Sequence, residues 1–127
     1  MNSAIQELLK NFSEINISPE RKAVLQSLIN FIQSQRSIGE SVRLNFICTH
    51  NSRRSHLSQI WAQTMAYHFG VKDVFCYSGG TEATAMFLKI ADTLTRQGFT
   101  IQKLSEGNNP VYAVKYADNE FKRFRTI

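Results

Sequence analysis

The segment from Val42 to His56 constrains this chain more than any other. An apolar run, Val42 to Ile47, leads into Cys48-Thr49-His50-Asn51-Ser52-Arg53-Arg54-Ser55, and a helical pattern follows from His56. That order reads strand, tight loop, helix. A loop that opens a helix turns its main-chain N–H groups inward, toward an anion. The same field stabilises a thiolate, the reactive form of cysteine. Cys48 and Arg54 stand six positions apart, with a hydroxyl residue, Ser55, directly after the arginine. One thiol, one guanidinium and a ring of amides predict a nucleophile facing a bound oxyanion. The competing reading is a buried strand cysteine beside a surface arginine, since free cysteine often behaves as a small apolar residue.

The flanking sequence supplies the frame. Ile5, Leu8, Leu9 and Phe12 recur at helical spacing and predict a short amphipathic helix over 3–13. Ser18, Pro19 and Glu20 mark the start of a second helix. Val24, Leu25, Leu28, Ile29 and Ile32 carry it to about Ser37, and Gly39 ends it. Residues 1–40 are thus expected to be an N-terminal helical extension, and 41–127 an α/β domain, the two forming one compact unit. Val42 to Ile47 reads as a strand buried on both faces, interrupted by Arg43 and Asn45, and Asn45 needs partners if it is buried. Leu57, Ile60, Trp61, Thr64, Met65 and His68 predict the helix after the loop, with Trp61 in the core and Gly70 as the stop.

Asp73 to Tyr77 is expected to be a second strand, closed by a tight turn at Ser78-Gly79-Gly80-Thr81. Phe87, Ile90, Ala91 and Leu94 predict a helix ending near Gly98, and Phe99 to Leu104 a third strand. Val111 to Ala117 reads as an extra strand, and Lys122, Arg123 and Arg125 as a solvated basic tail. Strands alternating with helices imply right-handed βαβ units, with a parallel sheet covered on both faces. Ligands bind such sheets beyond the carboxyl ends of the strands, where Cys48 and Ser78 both fall.

Composition narrows the function. At 127 residues and 43% hydrophobic, the chain suits one globular domain. Its two cysteines, Cys48 and Cys76, fit a reducing compartment. Neither a bilayer-spanning apolar run nor a signal-peptide pattern is seen, so the expected location is cytoplasmic, away from membranes. The net charge of +5 suits anionic substrates or acidic surfaces. Without zinc spacing, an RNA-binding aromatic motif or a helix-turn-helix pattern, nucleic acid is not an expected partner.

The loop residues can be given roles in attack on phosphorus. Cys48 is the nucleophile, ionised by the loop amides and the helix start. The planar fork of Arg54 grips two oxygens and holds the charge that develops on them. Ser55 donates to the sulfur and improves it as a leaving group. Asn51 tolerates the left-handed backbone that a curled loop requires.

These residues resemble a known family. Ile47 to Ser55 with its helix, followed by Tyr77-Ser78-Gly79-Gly80-Thr81-Glu82-Ala83, is similar to the low-molecular-weight protein tyrosine phosphatases and the related thioredoxin-coupled arsenate reductases. Cys48, Asn51, Arg54 and Ser55 match the family's C-x-x-N-x-x-R-S position by position. Ser78 to Thr81 resembles its S-A-G-T segment. The resemblance runs from about Val42 to Leu104. It implies a flavodoxin-like three-layer parallel sheet (here incomplete), phosphocysteine chemistry, and neither metal nor cofactor. It also implies catalysis by Cys48, Arg54 and Ser55. Substrate would be bound through Thr49, His50, Asn51, Ser52 and Arg53, with Ser78 and Thr81 in support. The substrate would be a phosphotyrosine protein or a small aryl phosphate, and phosphate, arsenate or vanadate would occupy the site as anions.

The departures from the family pattern bear on activity. His50 stands where glycine is usual, and either touches the anion or faces solvent. Arg53 stands where many phosphatases have a second cysteine. Cys76, the only other thiol, either resolves an oxidised Cys48 or is a plain buried strand residue. The reductases' further cysteines are lacking. The family's proton donor is an aspartate followed by proline, whereas Pro19 and Pro110 follow Ser18 and Asn109. Asp118 and Glu120 are the nearest substitutes, in a run that reads as an ordinary turn. A truncated or a degenerate member is expected, with slow hydrolysis of aryl phosphates. Arsenate reduction and non-catalytic binding of phosphate or phosphopeptides are the alternatives. An incomplete sheet would also expose an edge inviting pairing with a second copy.

Overall fold

A computed structural model describes residues 1–12, 16–82, 89–118 and 120–124, with the side chains of Phe121, Arg123 and Phe124 left aside. The chain is α/β. In order it forms α1 (Ser3–Leu9), α2 (Pro19–Ser37), β1 (Val42–Cys48), α3 (Arg54–His68), β2 (Val74–Gly80), α4 (Lys89–Arg96), β3 (Thr100–Lys103), β4 (Tyr112–Ala117) and β5 (Glu120–Phe124). β1 and β2 pair in parallel, from Val42 opposite Val74 to Cys48 opposite Gly80. β3, β4 and β5 form a separate antiparallel sheet in that order.

Several sequence expectations change. The third strand does not extend the parallel sheet but pairs antiparallel with β4. The short Leu104–Val111 connection favours this, because parallel pairing needs a crossover of a dozen or more residues. Of the residues expected in a solvated basic tail, Lys122 and Arg123 lie in β5 and Arg125 lies outside the described residues; Lys122 is half-buried with its Nζ 4.5 Å from the Tyr77 ring centroid. Asp118 lies in the turn between β4 and β5, while Glu120 opens β5. Ser78 to Gly80 continues strand β2 instead of turning. Phe87 lies outside the described residues.

β1 is not buried on both faces. Val42, Leu44 and Phe46 face inward, whereas Arg43, Asn45 and Ile47 are exposed. The two polar residues are thus half of a two-residue alternation, which marks a one-sided strand. Asn45, being exposed, needs no buried partner. Phe75 and Tyr77 share the exposed side of the sheet.

α2 starts as its sequence predicts, with Ser18 Oγ accepting from Arg21 N at 3.2 Å, yet it buries no residue completely. α1 is drawn into the core. Ile5 is fully buried, and Asn2 N donates to Tyr116 O at 2.8 Å.

α3 joins two apolar clusters. Ile60 packs with Ile5, Ile90, Leu94, Phe99 and Val114. Ala62 and Ala66 pack with Val42, Val74 and Cys76. Each buried Ile, Leu or Val contributes about 1.5–3 kcal/mol. Trp61 packs against the first cluster as expected, its ring edge-on to Phe99 and its Nε1 donating to Gln97 Oε1 at 3.0 Å.

α3 also serves β2 through polar side chains. Gln63 Nε2 donates to Val74 O at 2.9 Å, and its Oε1 accepts from Cys76 N at 3.0 Å. Gln59 Nε2 donates to Cys76 O at 3.1 Å. These side-chain amides stand in for a neighbouring strand and satisfy main-chain groups that would otherwise lack partners. β1 has β2 as its only strand neighbour among the described residues. No described helix is long and apolar enough to cross a membrane.

Candidate active site

The loop between β1 and α3 curls because of Asn51, whose φ of 46° turns the chain back. That conformation is unfavourable for most residues with a side chain and persists where the surroundings hold it. Asn51 is fully buried, and its Nδ2 donates to Ser55 Oγ at 2.7 Å. Gly80 packs against the same bend. A Cβ on Gly80 would lie 2.8 Å from Asn51 N and 2.9 Å from Asn51 Cβ, so glycine is needed there for close approach. Thr81 N and Glu82 N both donate to Thr49 O at 2.9 Å, and Thr81 Oγ1 does so at 3.2 Å. The Ser78–Thr81 segment therefore buttresses the loop.

Cys48 Sγ lies 3.1 Å from Ser55 Oγ. Partial burial alone would raise its pKa. The Ser55 hydroxyl and the main-chain N–H groups of Ser55, Asn51 and Ser52 outweigh that effect and lower it from 9.0 to about 7. Negative charge on sulfur is thus matched by four converging donors. Cys48, Arg54, Ser55, Thr49 and Thr81 line one pocket of about 440 Å³ with Phe46, Ile47 and Ser58. The predicted nucleophile, guanidinium and hydroxyl share one cavity.

The other expected residues are placed differently. Asn51 and Ser52 reach the sulfur through their main chain. Arg53 is the exposed N-cap of α3 and lies outside the pocket wall. His50 pairs on the rim with Glu82, Nδ1 to Oε2 at 3.2 Å, with both side chains largely exposed. Asp118 and Glu120 do not line the pocket, and no carboxylic acid is among its described walls. Cys76 is fully buried, and burial raises its thiol to about 11 against a smaller opposing effect from Lys122. It therefore has the character of a plain core residue. Among the described residues no group of three or more His, Cys, Asp or Glu is arranged to hold a metal.

The sequence reading missed the inner support. The fully or nearly buried residues of α3 are Ser55, His56, Gln59, Ile60 and Thr64, while His68 is exposed. Ser78 Oγ donates to Gln59 Oε1 at 2.7 Å and lies 3.4 Å from His56 Nδ1. Burial lowers His56 from 6.5 to about 4, against an opposing hydrogen bond with the Asn51 main chain, so the ring is neutral. The available signal was a stripe of His56, Gln59 and Gln63 at helical spacing. No family model, curated protein or solved structure matches the chain.

Proposed function

We propose that this protein is a cysteine-dependent phosphomonoester hydrolase with the chemistry of the low-molecular-weight protein tyrosine phosphatases. The flavodoxin-like arrangement implied by that resemblance belongs to the same proposal. One observation carries it: a thiol held near neutrality by converging donors, in a pocket shared with an arginine.

Cys48 thiolate attacks the phosphorus of an aryl phosphate. The S–P bond forms, the P–O ester bond breaks, and the phenolate takes a proton from solvent. Arg54 and the loop amides hold the non-bridging oxygens as charge develops on them. Water then attacks phosphorus. Its oxygen bonds to phosphorus, its proton passes to solvent, and the S–P bond breaks to return the thiolate. Ser55 stabilises the departing sulfur in this second step. With solvent as the proton source, turnover is fast only for good leaving groups.

The lack of a carboxylic acid on the pocket wall favours a second reading, a module that binds phosphorylated groups without turnover. Hydrolysis of p-nitrophenyl phosphate separates the two. Hydrolysis abolished by Cys48→Ser supports the enzyme. Phosphate protection of Cys48 against alkylation without hydrolysis supports the module. Neither hydrolysis nor protection by phosphate, arsenate or vanadate refutes both.

A further inference from the structure

We propose that His56 is a positioning residue. It holds the main chain of the Asn51 bend and so aims the Ser52 amide at Cys48 Sγ. The inference rests on Cys48 being the nucleophile of the proposed site.

Two residues hold the bend. Gly80 of β2 presses on it, with no room for a methyl group against Asn51. His56, completely buried in the first turn of α3, meets the Asn51 main chain. That hydrogen bond favours the charged ring, so the ring donates, and the main-chain acceptor is the Asn51 carbonyl. Of the amides that bond Cys48, that of Ser52 belongs to the same peptide unit as this carbonyl. A rotation of that peptide would turn the Ser52 N–H away from the sulfur.

His56 also stands against β2. Ser78 Oγ stands 3.4 Å from Nδ1 and is fixed by its 2.7 Å bond to Gln59. Gln59 in turn bonds Cys76 O. The ring is thereby backed by buried groups of the sheet and of α3, and none of these side chains lines the pocket. Ser55, Arg54 and Thr81 are among the groups around the sulfur's cavity.

The test compares His56→Phe, which fills the space without donating, with His56→Gln, which restores a donor. The readouts are the pH midpoint of Cys48 alkylation and the phosphate concentration that protects Cys48, with circular dichroism and Tm as controls. The Phe variant should fold, raise the midpoint by about one unit and weaken protection about tenfold. The Gln variant should recover a large part of both. Unchanged midpoint and protection in both variants, with only a lower Tm, would overturn the proposal.

If the Phe variant does not fold, NMR of the unaltered protein decides. A ring N–H of His56 shielded from solvent exchange and shifted by phosphate supports the role. A freely exchanging ring, or one that ignores phosphate, refutes it. If phosphate does not protect even the unaltered protein, the proposed function fails, while the alkylation midpoints still report on His56.

Discussion

Ser55→Ala removes the atom on which the loop converges. Its Oγ faces Cys48 Sγ at 3.1 Å and receives Asn51 Nδ2 at 2.7 Å. Two consequences follow, and they can be measured separately. The first concerns the thiol. With a pKa of about 7, about half of Cys48 is thiolate at pH 7; at 9.0 the fraction would be about one in a hundred. The Ser55 hydroxyl is the largest of the lowering contributions. A hydrogen bond to a charged group is worth about 1.5–3 kcal/mol when well shielded. Cys48 is only partly shielded, so the lower end, roughly one pKa unit, is expected. The rate of iodoacetamide alkylation against pH should therefore have its midpoint near 8, and the rate at pH 7 should fall about fivefold.

The second consequence concerns the fold. Asn51 Nδ2 loses a buried partner, which costs about 1–2 kcal/mol and lowers Tm by a few degrees. An unchanged midpoint in a folded Ser55→Ala protein would refute the electrostatic account of the site, whatever happens to Tm.

Gly80→Ala forces a methyl group to within 3 Å of the Asn51 main chain and Cβ. The protein should retain its circular dichroism while phosphate protection of Cys48 weakens more than tenfold; equal protection would show that the loop yields at no cost. Stability should depend on His56 below neutrality. Its folded pKa of about 4 lies below the ordinary 6.5, so the unfolded chain binds the proton first as pH falls. Stability is full above pH 6.5 and declines toward pH 4 by about 3 kcal/mol. Urea midpoints should drop between pH 6.5 and 5, above the carboxylate range, and His56→Phe should flatten that window. Finally, Gln63→Leu orphans Val74 O and Cys76 N. It should lower urea stability by about 2 kcal/mol or more, and a neutral result would mean that water replaces the side chain.

Local chemistry was legible in the chain from a few residues. Cys48, Arg54 and Ser55 announce a curled loop with donors around a thiol because their types and spacing follow from the geometry of a strand entering a helix. The α2 start at Ser18-Pro19 and the left-handed Asn51 were readable for the same reason: each depends on neighbours within a turn or two of chain. Arg43 and Asn45 carried the one-sidedness of β1 as well, but they were weighed as interruptions of an apolar run.

Partnership between distant segments was not readable. Thr100–Lys103 has strand character whether it lies beside β1 or β4, and pairing is settled by which edge the folded chain brings within reach. The glutamines of α3 look like surface residues until β2 presents unpaired main-chain groups to them. His56 looks like an exposed helix residue until Gly80 and Ser78 close over the loop from a strand more than twenty residues away. Short-range propensity is written along the chain. Burial, edge satisfaction and the support behind Cys48 arise only when non-local contacts exclude water.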